Sequence, residues 1–289
     1  MNIYDIAKLA NVSIATVSRV VNNSPKVSPK TKEKVLAVMK ENEYTPNAFA
    51  RGLGLGSMKT VGIICPNIDD IYMAKAVSYL EQNLHAHGYD CILGCSGFKQ
   101  EEKEDYVRLL LSKKIDTLIL VGSTYAGNGK DESDTDYIRE AAEQVSIFMI
   151  NAKVSGDNIY CTYADDFQAT YEVTKAFIRR GKEKILFMYD SESYSARQKM
   201  AGYEAALQDA GYPIRGNLKF KTRNDIEYTR DMLLEYNRTL DFDSVLATED
   251  GIAIGAVKYA KIKGLAIPEE LAVVGYNNSI LAISSDPEL

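Results

Sequence analysis

The chain has 289 residues, 46% of them hydrophobic and 26% charged, which suits two or three domains with a sizeable buried core. No run approaches the roughly 20 apolar residues of a membrane span, and Met1-Asn2-Ile3-Tyr4-Asp5 lacks the basic start and apolar stretch of a secretion signal, so the expected compartment is the cytoplasm. The net charge of −6 would argue against nucleic acid if it were evenly spread, but residues 1–59 hold nine Lys or Arg against four acids (+5) and the remainder 25 against 36 (−11). A small basic module before a large acidic one is the electrostatic footprint of a nucleic-acid-binding head.

Three short helices are predicted in that head. The first, Ile3 to Ala10, has Asn2 as N-cap with Asp5 three residues on, and is expected to bury Ile6, Leu9 and Ala10. Asn11 tolerates the left-handed backbone of a tight turn, and Ser13 then caps a second helix, Ile14 to Asn22. Val17, Val20 and Val21 face inward there, while Ile14, Ala15, Thr16, Ser18, Arg19 and Asn22 stay outward or at the helix start. This is a helix-turn-helix with a recognition helix. Small apolar groups can meet thymine methyls, hydroxyls can reach phosphates or bases, and Arg19 can bond guanine or phosphate. A third helix opens with Ser28 as N-cap and Pro29 in its first turn, with Val35, Leu36 and Met39 as its apolar stripe.

The segment "NAFARGLGLG", residues 47–56, has the spacing of a helix at Phe49 and Leu53, yet Gly52, Gly54 and Gly56 each cost a helix about 1 kcal/mol. Such a helix needs something to touch. A flexible linker is the plainer alternative.

From Lys59 onward strand-like runs alternate with helical patterns. Strands are expected near Val61 to Cys65, Tyr89 to Cys95, Thr117 to Val121, Ile147 to Asn151, Ile185 to Tyr189, Val245 to Thr248 and Ala272 to Tyr276. That alternation predicts parallel sheets covered by helices. The four cysteines, Cys65, Cys91, Cys95 and Cys161, fall in apolar surroundings at spacings that match no zinc or CxxC pattern, and read as reduced core residues. His85 and His87 close a helical pattern at Gly88, so no metal and no other cofactor is expected. Ligands of open parallel sheets sit at the carboxyl ends of strands. Those ends carry Asn67, Asp69, Tyr72, Ser96, Ser123, Asn151, Tyr194, Arg197, Glu249, Asp250 and Asn277, a polar and aromatic set suited to a polyhydroxylated ligand such as a sugar.

The runs "VSIATVSRVVN", "VSPKTKEKV", "YTPNAFARGL" and "TVGIICPNIDD" resemble LacI/GalR-type bacterial regulators in order and spacing, most closely the branch containing catabolite control protein A. The resemblance spans the chain. It implies a small all-α helix-turn-helix head (1–46), a hinge helix or linker (47–59), and an α/β two-lobed core like a periplasmic binding protein, with parallel sheets and lobes of residues 60–162 and 163–289. It further implies a homodimer on a pseudo-palindromic double-stranded DNA operator with a central CG step. Tyr4, Asn47 and Ala50 join the recognition helix among the implied DNA contacts, and the leucine resembling Leu53 wedges between central base pairs of the minor groove. A hinge that folds only on DNA would let a distant ligand weaken binding by separating the two hinges.

Arg197, in "SYSARQKMAGY", matches a family arginine that bonds effector hydroxyls or charged groups. The sequence also departs from the pattern. Gly54 and Gly56 are poorer helix formers than the residues usual there, Asn277 stands where many sugar-responsive relatives carry aspartate, and Thr248 where several have asparagine. The catabolite-control branch takes the phosphocarrier protein HPr as corepressor, but Ser279 stands where that branch places an arginine, which argues against that partner here. Relatives continue for several tens of residues past "SSDPEL", so the C-terminal part is expected to be missing and the sequence to be a fragment.

Other function classes fit less well. A Rossmann enzyme needs its glycine loop after a strand, whereas "GLGLGS" precedes the first one, and no Ser/His/Asp or carboxylate constellation stands out. A solute-binding protein would need an export signal and has no use for a basic head.

Overall fold

A computed structural model describes residues 1–45, 57–129, 131–236 and 241–289. The expected hinge contacts Asn47, Ala50 and Leu53 lie outside the described residues.

The head is three helices, α1 (Ile3–Leu9), α2 (Ile14–Val21) and α3 (Pro29–Glu41). A reciprocal capping box starts α1: Asn2 Oδ1 accepts from the Tyr4 and Asp5 amides, and the Asp5 carboxylate accepts from the Asn2 amide at 2.9 Å. Asn11 takes a positive φ of 50°, turning the chain into α2, and Val12 N–H donates back to Ala7 O at 3.0 Å. Ile6, Ala7, Ala10, Val17, Val20, Val35 and Met39 form the core. Two expected core residues are corrected. Leu9 is 54% exposed and Leu36 44% exposed. Leu9 lies about 60° of helix rotation from Ile6 and about 100° from Ala10, and Leu36 about 100° from Val35 and about 60° from Met39, so both stand beside the inward stripe, while Ala7 is buried on α1.

The first lobe runs β1 (Thr60–Cys65), α4 (Ile71–Ala86), β2 (Asp90–Cys95), α5 (Gln100–Ser112), β3 (Thr117–Val121), α6 (Asp136–Ala142), β4 (Ser146–Ile150) and β5 (Ile159–Thr162). Its five strands are parallel in the order β2-β1-β3-β4-β5. Helices cover both faces: Val77 of α4 packs against Val61, Ile63 and Val121, and α5 and α6 pack against Ile64, Leu118 and Leu120. Both faces of the central strands are thus buried, which is why β1 and β3 read as continuous apolar runs. Asp116 fastens the chain entering this lobe, accepting from Ser57 Oγ (3.0 Å), Met58 N (3.1 Å) and Thr60 N (3.0 Å).

The second lobe runs α7 (Asp166–Arg179), β6 (Ile185–Tyr189), α8 (Tyr194–Asp209), β7 (Lys219–Lys221), α9 (Ile226–Tyr236), β8 (Ser244–Ala247), α10 (Asp250–Lys263), β9 (Ala272–Val274) and α11 (Ile280–Ser284). Its parallel sheet has the order β7-β6-β8-β9. α7 and α8 meet closely at Gly202, where a Cβ would stand 2.1 Å from Phe167 O. Two strands escaped the sequence. β5 is short and half exposed, and β7 (Lys219-Phe220-Lys221) has no apolar run to announce it. Cys95 also departs from expectation: it is exposed, because β2 is an edge strand, while Cys65 is buried and Cys91 and Cys161 are half-buried.

Candidate nucleic-acid interface and inter-lobe cleft

In the head, the side chain of Ser13 caps α2, its Oγ accepting from Thr16 N at 3.2 Å and lying 2.9 Å from Thr16 Oγ1. The cap leaves the α2 N-terminus, with its unpaired amides and positive dipole end, open to an anion. Tyr4, Ser13, Ile14, Ala15 and Arg19 are exposed around it, and Thr16 and Ser18 are half-buried. Asn22 is turned partly inward as the C-cap of α2, with Oδ1 buried and without a hydrogen-bond partner. Val17 and Val20 anchor the opposite face in the core. Lys32, on α3, reaches Asn23 Oδ1 beside the end of α2 and adds positive charge to that side.

In the core, all eight strand ends after β1, β2, β3, β4, β6, β7, β8 and β9 open toward one cleft of about 620 Å3 between the lobes. Each sheet reverses its winding direction beside its first strand, between β1 and β3 in one lobe and between β6 and β8 in the other. Adjacent loops part at such a point and leave a crevice. Asp69, Tyr72, Ser123, Asn151, Glu249 and Asn277 line the cleft, joined by Asn67 and Asp250. Asn151 and Asn277 hold positive φ values of 61° and 86°, conformations that asparagine tolerates, and these turn their loops at the strand ends.

Three expected residues lie elsewhere. Ser96 is buried beneath the lining, its Oγ 2.8 Å from the Tyr125 hydroxyl and donating to Gly97 O at 3.0 Å. Tyr194 meets Tyr163 edge-on at 6.1 Å. Arg197 leaves the cleft: its Nη1 donates to Glu192 O at 3.3 Å and reaches across to Gly127 O of the first lobe at 3.5 Å. Its guanidinium rests on Gly129, where a Cβ would meet Cζ at 2.6 Å. Residues two apart on a helix point about 200° from each other, and on α8 it is Lys199 that turns into the cleft.

Lys199 was not among the residues expected from the sequence, and it organises the floor. Only 3% exposed, it donates from Nζ to Thr248 O at 3.0 Å and stands 3.6 Å from the centre of the Tyr276 ring. The Tyr276 hydroxyl donates to Asp166 Oδ1 at 2.6 Å. Burial pulls the Lys199 ammonium below the ordinary lysine value, and Glu249, Asp166, Asp190 and Asp250 oppose that fall. Burial pushes the Glu249 carboxyl up to about 8, with Asp190, Asp70 and Asp250 adding repulsion that Lys199 partly offsets. Asp190 is raised as well, chiefly by burial. Asn277 Nδ2 donates to Glu249 Oε2 at 2.7 Å. Ser195 Oγ and Thr248 Oγ1, in side chains 4% and 2% exposed, are buried in this wall without hydrogen-bond partners. Among the described residues no group of His, Cys, Asp or Glu side chains is placed to hold a metal ion.

An exposed capped helix on a basic three-helix head and a strand-end cleft in a two-lobed core therefore share one chain. Family comparison agrees with that division. The bacterial regulatory proteins of the lacI family match residues 2–47, and the periplasmic binding proteins and sugar binding domain of the LacI family match residues 58–284. The chain belongs to the LacI family. This regulator is 48% identical over 290 residues to an HTH-type transcriptional regulator of Lachnoclostridium phytofermentans, covering 100% of this chain and 86% of the relative. It is 30% identical to catabolite control protein A of Priestia megaterium, again over 100% of this chain and 86% of the relative. The fold superposes on the lac repressor dimer bound to operator and the anti-inducer ONPF with a TM-score of 0.87 at 23% identity, covering 100% of this chain and 86% of that one. The regulator is a DNA-binding transcription factor and not an enzyme. No described helix is long and apolar enough to cross a membrane.

Proposed function

We propose that this regulator is a cytoplasmic repressor which binds a pseudo-palindromic operator as a homodimer, and whose affinity is set by a sugar-like molecule held between the lobes. The observation that carries the reading is the cleft itself: strand ends of both sheets converge on one cavity whose walls leave three buried hydroxyls, of Thr124, Ser195 and Thr248, unsatisfied. A buried hydroxyl without a partner costs about 1–3 kcal/mol, and a polyhydroxylated ligand supplies the missing bonds. A ligand that touches both lobes favours one lobe arrangement over another, and such differential binding can alter how two DNA heads are presented.

On the DNA side, Ser13, Ile14, Ala15, Thr16, Ser18, Arg19 and Asn22 of α2 would read the major groove, with Tyr4 on the backbone. Asn47, Ala50 and Leu53 would enter the minor groove. Support comes from the exposure of the α2 start and from the +5 balance of residues 1–59. The lac repressor was solved as a dimer on its operator, which favours the same assembly here. A small molecule is preferred over a phosphocarrier protein because three unsatisfied hydroxyls lie in the walls of an inter-lobe cavity of about 620 Å3, a space of small-molecule size.

The test is a fluorescence-anisotropy titration of the regulator into a palindromic duplex with a central CG, beside a scrambled duplex, at two salt concentrations. A clear preference for the palindrome that a sugar then shifts supports the proposal. Equal, strongly salt-sensitive binding to both duplexes, with no effect of any sugar, would sink it.

A further inference from the structure

The charge of the cleft narrows the chemistry of its ligand; this step rests on the reading of the cleft as the effector site. Among the described lining residues seven are acidic and one, Lys199, is basic. Lys199 is already engaged by Thr248 O and the Tyr276 ring. Some of the acids are engaged too: Asp225 caps α9 by accepting from Tyr228 N at 2.8 Å, and Glu227 pairs with Arg230 at 3.2 Å.

Asp70, Asp190 and Glu249 share the cleft lining, and Asp70 also caps α4, its Oδ1 accepting from Met73 N at 2.9 Å. They come from both lobes, after β1, β6 and β8; burial raises the proton affinity of Asp190 and Glu249, Asp70 adds repulsion to both, and Asp190 adds to that on Glu249. Asn277 gives Glu249 a hydrogen bond but no charge. A phosphorylated or carboxylated sugar would add to that repulsion, and a neutral sugar would leave it in place. A cation relieves it. A metal ion is a poor candidate, since no described side-chain group has a metal-binding arrangement.

The second observation is independent of charge. Ser195 Oγ, Thr248 Oγ1 and, from the first lobe, Thr124 Oγ1 are buried in the cleft wall without partners and call for hydroxyl groups on the ligand. Tyr72 and Phe98 also line the cleft and are aromatic side chains of the kind that pack against the C–H face of a sugar ring. We propose that the cleft takes an amine-bearing sugar, its ammonium among Asp70, Asp190 and Glu249 and its hydroxyls on Ser195 and Thr248.

Calorimetric titration of the full chain near neutral pH tests this with matched pairs: glucosamine, galactosamine and the β-1,4-linked glucosamine dimer against glucose, galactose and cellobiose, with glucose 6-phosphate as the anion. At least one amine is expected to bind about tenfold or more tighter than its neutral partner, the factor that about 1.4 kcal/mol supplies. Binding of the ammonium is expected to expel the proton that Glu249 holds up to about 8, read as a binding heat that changes with the buffer's ionisation enthalpy, and Glu249→Gln is expected to abolish that proton release and bring the ratio toward one while the folded chain is retained by circular dichroism. A neutral sugar or the phosphate ester binding as tightly as the amines overturns the inference and leaves a small-molecule effector standing. Absence of binding by every compound overturns the inference and counts against the effector reading as well.

Discussion

Replacing Glu249 by glutamine should make the regulator more stable at alkaline pH and leave it unchanged in mild acid. Burial and the neighbouring Asp190, Asp70 and Asp250 hold the Glu249 carboxyl at about 8 against an ordinary 4.5, even with Lys199 pulling the other way. The unfolded chain ionises this group near the ordinary value, whereas the folded chain keeps the proton until about 8. Between those points the folded state holds one proton more. Each unit of rising pH therefore removes about 1.4 kcal/mol of stability, and above the upper value the loss is complete. The full span would amount to about 5 kcal/mol, but Asp190 and Lys199 titrate in concert with Glu249 and relax much of it. We expect Glu249→Gln to gain about 2 kcal/mol over wild type at about pH 9, since its amide carries no charge and still accepts from Asn277 Nδ2. For a chain of this size that is a Tm difference of about 4–8 °C, closing to nothing by about pH 5. Thermal unfolding followed by circular dichroism across that range measures it. Two parallel Tm curves, or a variant less stable than wild type at high pH, would refute the argument.

Four other outcomes follow, two from contacts in the core and two from the proposed DNA contacts. Arg197→Ala should leave ligand affinity within about threefold, because the side chain clasps the 127–129 loop and does not line the cleft; a loss of about a hundredfold by calorimetry would return Arg197 to the binding site. Gly202→Ala forces a Cβ against the Phe167 carbonyl, a backbone atom that cannot swing aside, and should cost about 1–3 kcal/mol in urea denaturation with an unchanged midpoint as the contrary result. Arg19→Ala should weaken operator binding about tenfold and reduce discrimination against a scrambled duplex, whereas unchanged discrimination with a salt slope lower by about one would put Arg19 on a phosphate. Leu53→Ala should weaken operator binding if the leucine wedges between base pairs; equal affinity would mark it as part of a linker.

The head was legible because its signals are local. Asn2 and Asp5, Ser13, and Ser28 with Pro29 all act within one helical turn of themselves, and their caps form as the sequence predicts. The long central strands were legible because burial on both faces writes apolar runs such as Thr117–Val121. Where burial falls away, so does the signal, as at β5 and β7. Leu9 and Leu36 show the opposite failure: in a small three-helix head, being apolar does not decide which side of a helix meets the core.

The cleft required information that no local pattern carries. Strand ends could be located, and eight of the eleven residues singled out there do line it. Which side chain of the following helix turns inward is decided by how α8 packs on α7 at Gly202, a contact between segments some 35 residues apart in sequence. That packing places Lys199 inside and sends Arg197 across to the first lobe. It also sets the electrostatics. With the guanidinium outside, one engaged ammonium faces a wall of carboxylates, and the cleft keeps a net negative field. An arginine counted among the lining from sequence would have pointed to an anionic or neutral ligand. A rotation of about 200° along one helix reverses that expectation, so the sign of the ligand's charge is a property of tertiary packing.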